Sequence, residues 1–64
     1  MNEVKYYGKV RNMYITAIFE NAEKVSLSKN INDACNIPDT NQQMWVRKEL
    51  GAVIIKATTL YEIL

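Results

Sequence analysis

The chain has 64 residues and a formal net charge of +1, with one cysteine and no histidine. These numbers predict one small globular domain over residues 1–64 and exclude an internal disulfide and a histidine–cysteine zinc site, so neither a metal nor another cofactor is expected. No stretch resembles a signal peptide or a membrane span, which predicts a cytoplasmic protein without membrane contact; oligomerisation is left as a way to stabilise so small a fold.

Alternating hydropathy in the first half of the chain predicts three sequential strands, over residues 3–10, 13–20 and 23–28. The expected turns between them are Arg11-Asn12 and Asn21-Ala22, with Asn12 taking the positive φ of a tight hairpin. Three sequential antiparallel strands form a β-meander.

The same alternation predicts which faces are buried. The more apolar face of the first strand carries Val4, Tyr6, Gly8 and Val10. The second strand is apolar on both faces, with Ile15 on one and Ile18 on the other, which is typical of a central strand. In the third strand, Val25 and Leu27 are expected to face inward.

A short helical turn is expected after the third strand. Asn30 can cap it, and Ile31, Ala34 and Cys35 then share one apolar stripe. Ile37 precedes a proline, so the turn must end there.

The next segment has the start and stop signals of a helix. Thr40-x-x-Gln43 matches a capping box, and Gly51 suits the position after the last turn. We therefore predict a helix around residues 41–50. The alternative is a strand over residues 43–48, turning at residues 49–51.

Residues 52–59 are rich in β-branched side chains and predict a buried strand that rejoins the sheet. Beyond it, the chain could form a last helical turn capped by Thr59 or continue as a strand through Tyr61 and Ile63. Taken together, the predicted fold class is α+β: a small antiparallel meander, one short helix and a C-terminal strand. A small all-β barrel is the alternative.

The residues offer poor support for catalysis. Cys35 has no histidine to activate it and is interpreted as a buried apolar residue. Ser26-x-x-Lys29 matches a β-lactamase motif only formally, because the serine lies in a predicted strand. Glu20 and Glu23 flank a turn with no cleft to raise a pKa. We expect no catalytic residues and a non-enzymatic protein.

Two groups of residues are candidate partner surfaces. Lys5, Tyr7, Lys9 and Arg11 align on the polar face of the first strand, where cations and an aromatic ring could contact an acidic protein patch or single-stranded nucleic acid. Lysines on an edge strand also prevent edge-to-edge pairing, which would explain them without a ligand. The second group is Trp45 with Arg47, residue types enriched at interfaces, although a lone tryptophan can equally fill the core.

Binding is therefore the predicted function. The leading hypothesis is a small protein-binding module, an accessory factor or inhibitor acting on a larger protein. A phage origin fits its size and its AT-rich codon bias, since Asn, Ile, Lys and Tyr supply 24 of 64 residues (7 + 7 + 6 + 4). The alternatives are a single-stranded nucleic-acid-binding or regulatory protein and a self-assembling structural subunit, that is, a homo-oligomer.

Overall fold

Four antiparallel strands and one helix make up the part of the chain that the computed structural model describes, residues 2–60, with side chains described for residues 3–58. The elements are β1 (Asn2–Val10), β2 (Met13–Phe19), β3 (Lys24–Ser28), α1 (Thr40–Leu50) and β4 (Val53–Leu60). Short 3₁₀ turns cover Glu20–Ala22 and Ile31–Asp33. The sheet order is β3-β2-β1-β4, and the sheet is not closed. The α+β prediction is confirmed, and the barrel alternative is wrong.

The first hairpin turns where the sequence predicted, but a different residue takes the unusual backbone conformation. Lys9 pairs with Tyr14 and Val10 with Met13, which leaves Arg11 and Asn12 as the turn. The positive φ belongs to Arg11, at 56°, rather than to Asn12. The second turn is a 3₁₀ turn that ends on Glu23, whose φ is 51°.

β2 is a central strand, as predicted, but a β-bulge changes its buried face. Ile15 pairs with Leu27 and Ala17 pairs with Ser26, so one extra residue is accommodated between them. A bulge reverses the alternation that follows it. Ile15 and Ile18 therefore both point towards the core, although strict alternation had placed them on opposite faces.

A segment after the second 3₁₀ turn is inserted between the two central strands. β1 and β2 pair only at the two positions next to their turn. Further along, the Cys35 amide donates to the Ile15 carbonyl at 3.0 Å, and the Ile37 amide donates to the Tyr6 carbonyl at 2.9 Å. The Tyr6 amide donates to the Asn36 side chain at 2.9 Å. The sheet thus consists of two ribbons, β1–β4 and β2–β3, which diverge around this segment.

The core is small and centres on Ile37, which sequence analysis did not identify as a core residue. The fully buried apolar side chains of the described residues are Ile15, Ile37 and Val46, joined by the buried Ala52. Gly8 faces this cluster, where an added Cβ would lie 2.6 Å from the Ile15 Cδ1 atom and 3.2 Å from that of Ile37. Asn30 caps the second 3₁₀ turn as predicted, but Ile31 is exposed and does not belong to the expected apolar stripe.

The helix prediction is confirmed, whereas its predicted cap is wrong. The N-cap is Asp39, whose carboxylate accepts from the Asn41 amide at 2.7 Å and the Gln42 amide at 3.4 Å. The Gln43 side chain is buried and donates to the Ile37 carbonyl at 2.8 Å, so it makes no capping box. Gly51 ends the helix with φ of 66°, a conformation that favours glycine.

β4 rejoins the sheet, as predicted, and lies beside β1, but only one of its faces is covered. Ile54 packs against the core, while Val53 is 62% exposed on the other face. The expectation of a fully buried strand is therefore wrong. The strand runs to Leu60, and the alternatives for residues 61–64 lie outside the described residues.

The helix cap gives a direct stability test. Asp39→Ala removes the acceptor for two amides at the start of α1, so we expect the free energy of unfolding to fall by about 0.5–2 kcal/mol in urea denaturation. Thr40→Ala is the matched control, because the threonine side chain does not act as the cap. An equal loss for Thr40→Ala would contradict this assignment.

A second prediction concerns Gly8. Gly8→Ala forces a methyl group against Ile15 and Ile37, so it should cost about 1–3 kcal/mol of unfolding free energy. Ile15→Val removes the Cδ1 atom that the new methyl group meets. Adding Gly8→Ala to Ile15→Val should therefore cost less than adding it to the wild type, measured as a double-mutant cycle. Additive losses would show that the close approach is unimportant.

Candidate binding surface

Strand register places the first predicted surface on the side of the sheet opposite the core. Gly8 opposes Ile54 on the core side, so the alternate pairs Lys5–Ala57, Tyr7–Ile55 and Lys9–Val53 face away from it. Tyr14 joins this side because it pairs with Lys9. We call these seven residues the open face; they are Lys5, Tyr7, Lys9, Tyr14, Val53, Ile55 and Ala57.

The open face spans two strands of different kinds, since its β1 residues lie on an inner strand and its β4 residues lie on an edge strand. β1 has neighbours on both sides, β2 and β4. Lys9 is paired with both neighbours and therefore does not block pairing at an exposed edge, whereas Lys5 is paired with β4 alone, so edge protection explains Lys5 without a ligand.

One cation of the open face is already held beside a ring. The Lys9 Nζ atom lies 5.7 Å from the centroid of the Tyr14 ring, within the range of a cation–π contact. Lys5 is exposed, and Tyr7 is half-buried. The contact keeps the Lys9 ammonium group on the open face.

The β4 side of the open face is more apolar than the sequence suggested. Val53 is largely exposed there, next to the half-buried Ile55 and Ala57. Phe19, 48% exposed, is a separate exposed apolar residue on the β2–β3 ribbon, where it pairs with Lys24. The open face thus has an apolar row on the edge strand β4 and two lysines on β1.

The other predicted site residues lie elsewhere. Arg11 is exposed in the β1–β2 turn, beyond the end of the strand, so it does not continue the row of Lys5 and Lys9. Trp45 and Arg47 are on α1. The structure therefore divides the six candidates among three places and does not form one site from them.

Trp45 is partly in the core and partly at the surface, and its expected role at an interface stays a prediction. It is half-buried and packs against the core cluster, and its remaining surface lines a cleft of about 380 Å³ between α1 and the first 3₁₀ turn. Three carboxylates, those of Glu20, Glu23 and Asp39, also line this cleft. The Glu20 carboxylate accepts a hydrogen bond from the side-chain amide of Gln42 at 2.6 Å, and Asp39 caps the helix. Two of the three carboxylates therefore have structural roles.

Cys35 is the one thiol, and its surroundings disfavour nucleophilic chemistry. Burial raises the pKa of the Cys35 thiol above its ordinary value, partly offset by a backbone hydrogen bond. A nucleophilic cysteine needs the opposite shift. Within residues 2–60, no group of three acidic, histidine or cysteine side chains is arranged to hold a metal ion. None of the helices in this range is long and apolar enough to span a membrane.

Comparison with known proteins gave no match to any family model, curated protein or solved structure. The assignment of a function therefore depends on the surfaces described above.

Sequence reasoning missed the apolar half of the open face, namely Val53, Ile55 and Ala57. It interpreted the run of β-branched residues as a fully buried strand. The exposure of this face could have been predicted, because one helix of 11 residues can cover only one face of a sheet.

The state of Cys35 can be measured by alkylation. Because burial raises its thiol pKa, we expect iodoacetamide to label the folded protein more slowly at pH 7.5 than the urea-unfolded protein. The pH at which labelling reaches half its maximal rate should also be higher for the folded protein. Cys35→Ala provides the unlabelled control, and faster labelling of the folded protein would reveal an activated thiol.

Proposed function

We propose that this protein is a small non-enzymatic module that binds another protein through the open face. The observation that carries the proposal is the apolar row of Val53, Ile55 and Ala57 on β4, which lies beside the row of Lys5, Tyr7 and Lys9 on β1. Apolar area supplies the favourable free energy of association, and the charges select and steer the partner. The complementary partner surface has an apolar patch edged by carboxylates.

The aliphatic content favours a protein over a nucleic acid. Interfaces with nucleic acids are strongly basic and polar, whereas Val53, Ile55 and Ala57 offer neither charge nor an aromatic ring for stacking. The whole chain carries a net charge of only +1. Tyr7, Tyr14 and the two lysines of β1 are the features that a single-stranded nucleic acid would use, and that function is the second candidate.

A role as an accessory factor or inhibitor follows from the size of the module. A domain with one interaction face and no supported catalytic group acts by occupying a surface on a larger partner. The lysines should then affect the rate of association more than the rate of dissociation.

The test is a charge reversal on the open face with a matched control. Lys5→Glu with Lys9→Glu changes two exposed or half-buried lysines, so folding should survive at a cost of about 1 kcal/mol or less per site, including the lost cation–π contact. Lys29→Glu with Lys48→Glu makes the same change in net charge away from the open face. The partner is first captured with the tagged wild-type protein from an extract of the producing cells.

With the purified partner, surface plasmon resonance should show association slowed about tenfold or more for the open-face variant and nearly unchanged for the control. Equal association rates for the two variants would contradict the proposal. Binding of a single-stranded oligonucleotide, with log affinity falling linearly with log salt and abolished only by the open-face variant, would instead establish the second candidate.

A further inference from the structure

The longer of the two sheet edges in the described chain has little of the protection that edge strands usually carry. β4 is an edge strand of eight residues that contains no glycine or proline, shows no bulge in its pairing with β1, and has Lys56 as its only charged residue. Edges of this kind pair readily with another strand. The opposite edge, β3, has five residues and begins with Lys24, and its pairing with β2 is interrupted by the bulge.

The β1–β4 ribbon is also the part of the sheet that neighbouring strands stabilise least. Residues 2–5 of β1 pair with β4 alone, because the ladder to β2 is confined to Lys9 and Val10. Val4 is exposed although it lies on the core side. A two-stranded ribbon is only marginally stable in water, and additional strands stabilise it.

The surface area indicates how much is left uncovered. The chain exposes 4990 Å², whereas a folded monomer of 7.4 kDa exposes about 4200 Å². The excess of roughly 800 Å² belongs to the whole molecule and includes the open face as well as the β4 edge. The radius of gyration, 12.6 Å, likewise exceeds the value of about 10.7 Å expected for 64 residues.

We propose that two copies of this chain associate through their β4 edges, antiparallel across a two-fold axis, to form one continuous eight-stranded sheet. When an edge strand pairs antiparallel with its own copy, a two-fold axis relates the two strands. The same edge of each copy therefore forms the interface. The dimer places two additional strands beside each exposed ribbon. It does not stack on the open face of either copy, although the β4 residues of that face then lie beside the two-fold axis, and it does not rest on the proposed function.

The register in which the two β4 strands pair follows from symmetry and charge. A two-fold axis perpendicular to the sheet keeps each face on its own side, so only residues of the same face can oppose each other. Two registers that meet this condition pair seven of the eight residues of β4 with the second copy. One opposes Lys56 to itself, which like charges disfavour. The other centres on Ala57 and opposes Lys56 to Thr58 of the second copy, and this is the register that we propose.

The register makes Thr58 the position to change, because it is exposed and contacts the other copy next to Lys56. By sedimentation velocity, the wild type should have a mass of 14.8 kDa, twice 7.4 kDa. Thr58→Lys opposes two pairs of lysines and should raise the dimer dissociation constant about tenfold. Thr58→Glu should lower it, and Lys56→Glu combined with Thr58→Lys should restore dimerisation.

Met44→Lys introduces the same charge at an exposed position of α1 and serves as the control that should leave the dimer unchanged. Circular dichroism of each variant verifies that it is folded. A wild-type mass of 7.4 kDa at every concentration would overturn the proposal. So would a dimer that is indifferent to residue 58, or one dissociated by Lys5→Glu with Lys9→Glu, which would indicate association through the open face instead.

Discussion

The position of Ile37 is the constraint on which the rest of the structure depends. Its amide donates to β1, its carbonyl accepts from Gln43 of α1, and its side chain is fully buried between them. Gly8 has no side chain at the point where Ile37 and Ile15 approach β1. One residue outside any regular element thus links sheet and helix, and its backbone polar groups are satisfied without a strand ladder.

The insertion of this segment determines the shape of the sheet. A β1–β2 hairpin would ordinarily pair along its whole length, but here the strands separate after two residue pairs and the segment over residues 35–37 takes the hydrogen bonds of Tyr6. The separation places β1 mainly against β4, with which it forms eight pairs. The elongated ribbon and its unprotected edge are consequences of this arrangement.

A chain of 64 residues cannot cover both faces and both edges of a four-stranded sheet with one helix. The surface that remains exposed is of two kinds: the open face, which has an apolar row on β4 and two lysines on β1, and the outer edge of β4, which presents backbone hydrogen-bonding groups. These surfaces differ in what they can bind. The face suits side chains of a partner with complementary charge, whereas the edge suits the backbone of another strand.

Local signals in the sequence determined the element types, because alternation, turn residues and the glycine after α1 act over a few neighbouring positions. They predicted three strands, a helix ending at Leu50, a fourth strand, and the row of Lys5, Tyr7 and Lys9 on one side of β1. Tertiary structure alone decided the bulge in β2, the choice of Asp39 as the helix cap, the burial of Ile37, and the exposure of Val53. Each of these depends on which segment packs against which, since a chain with a small core satisfies its buried polar groups and fills its interior through contacts distant in sequence.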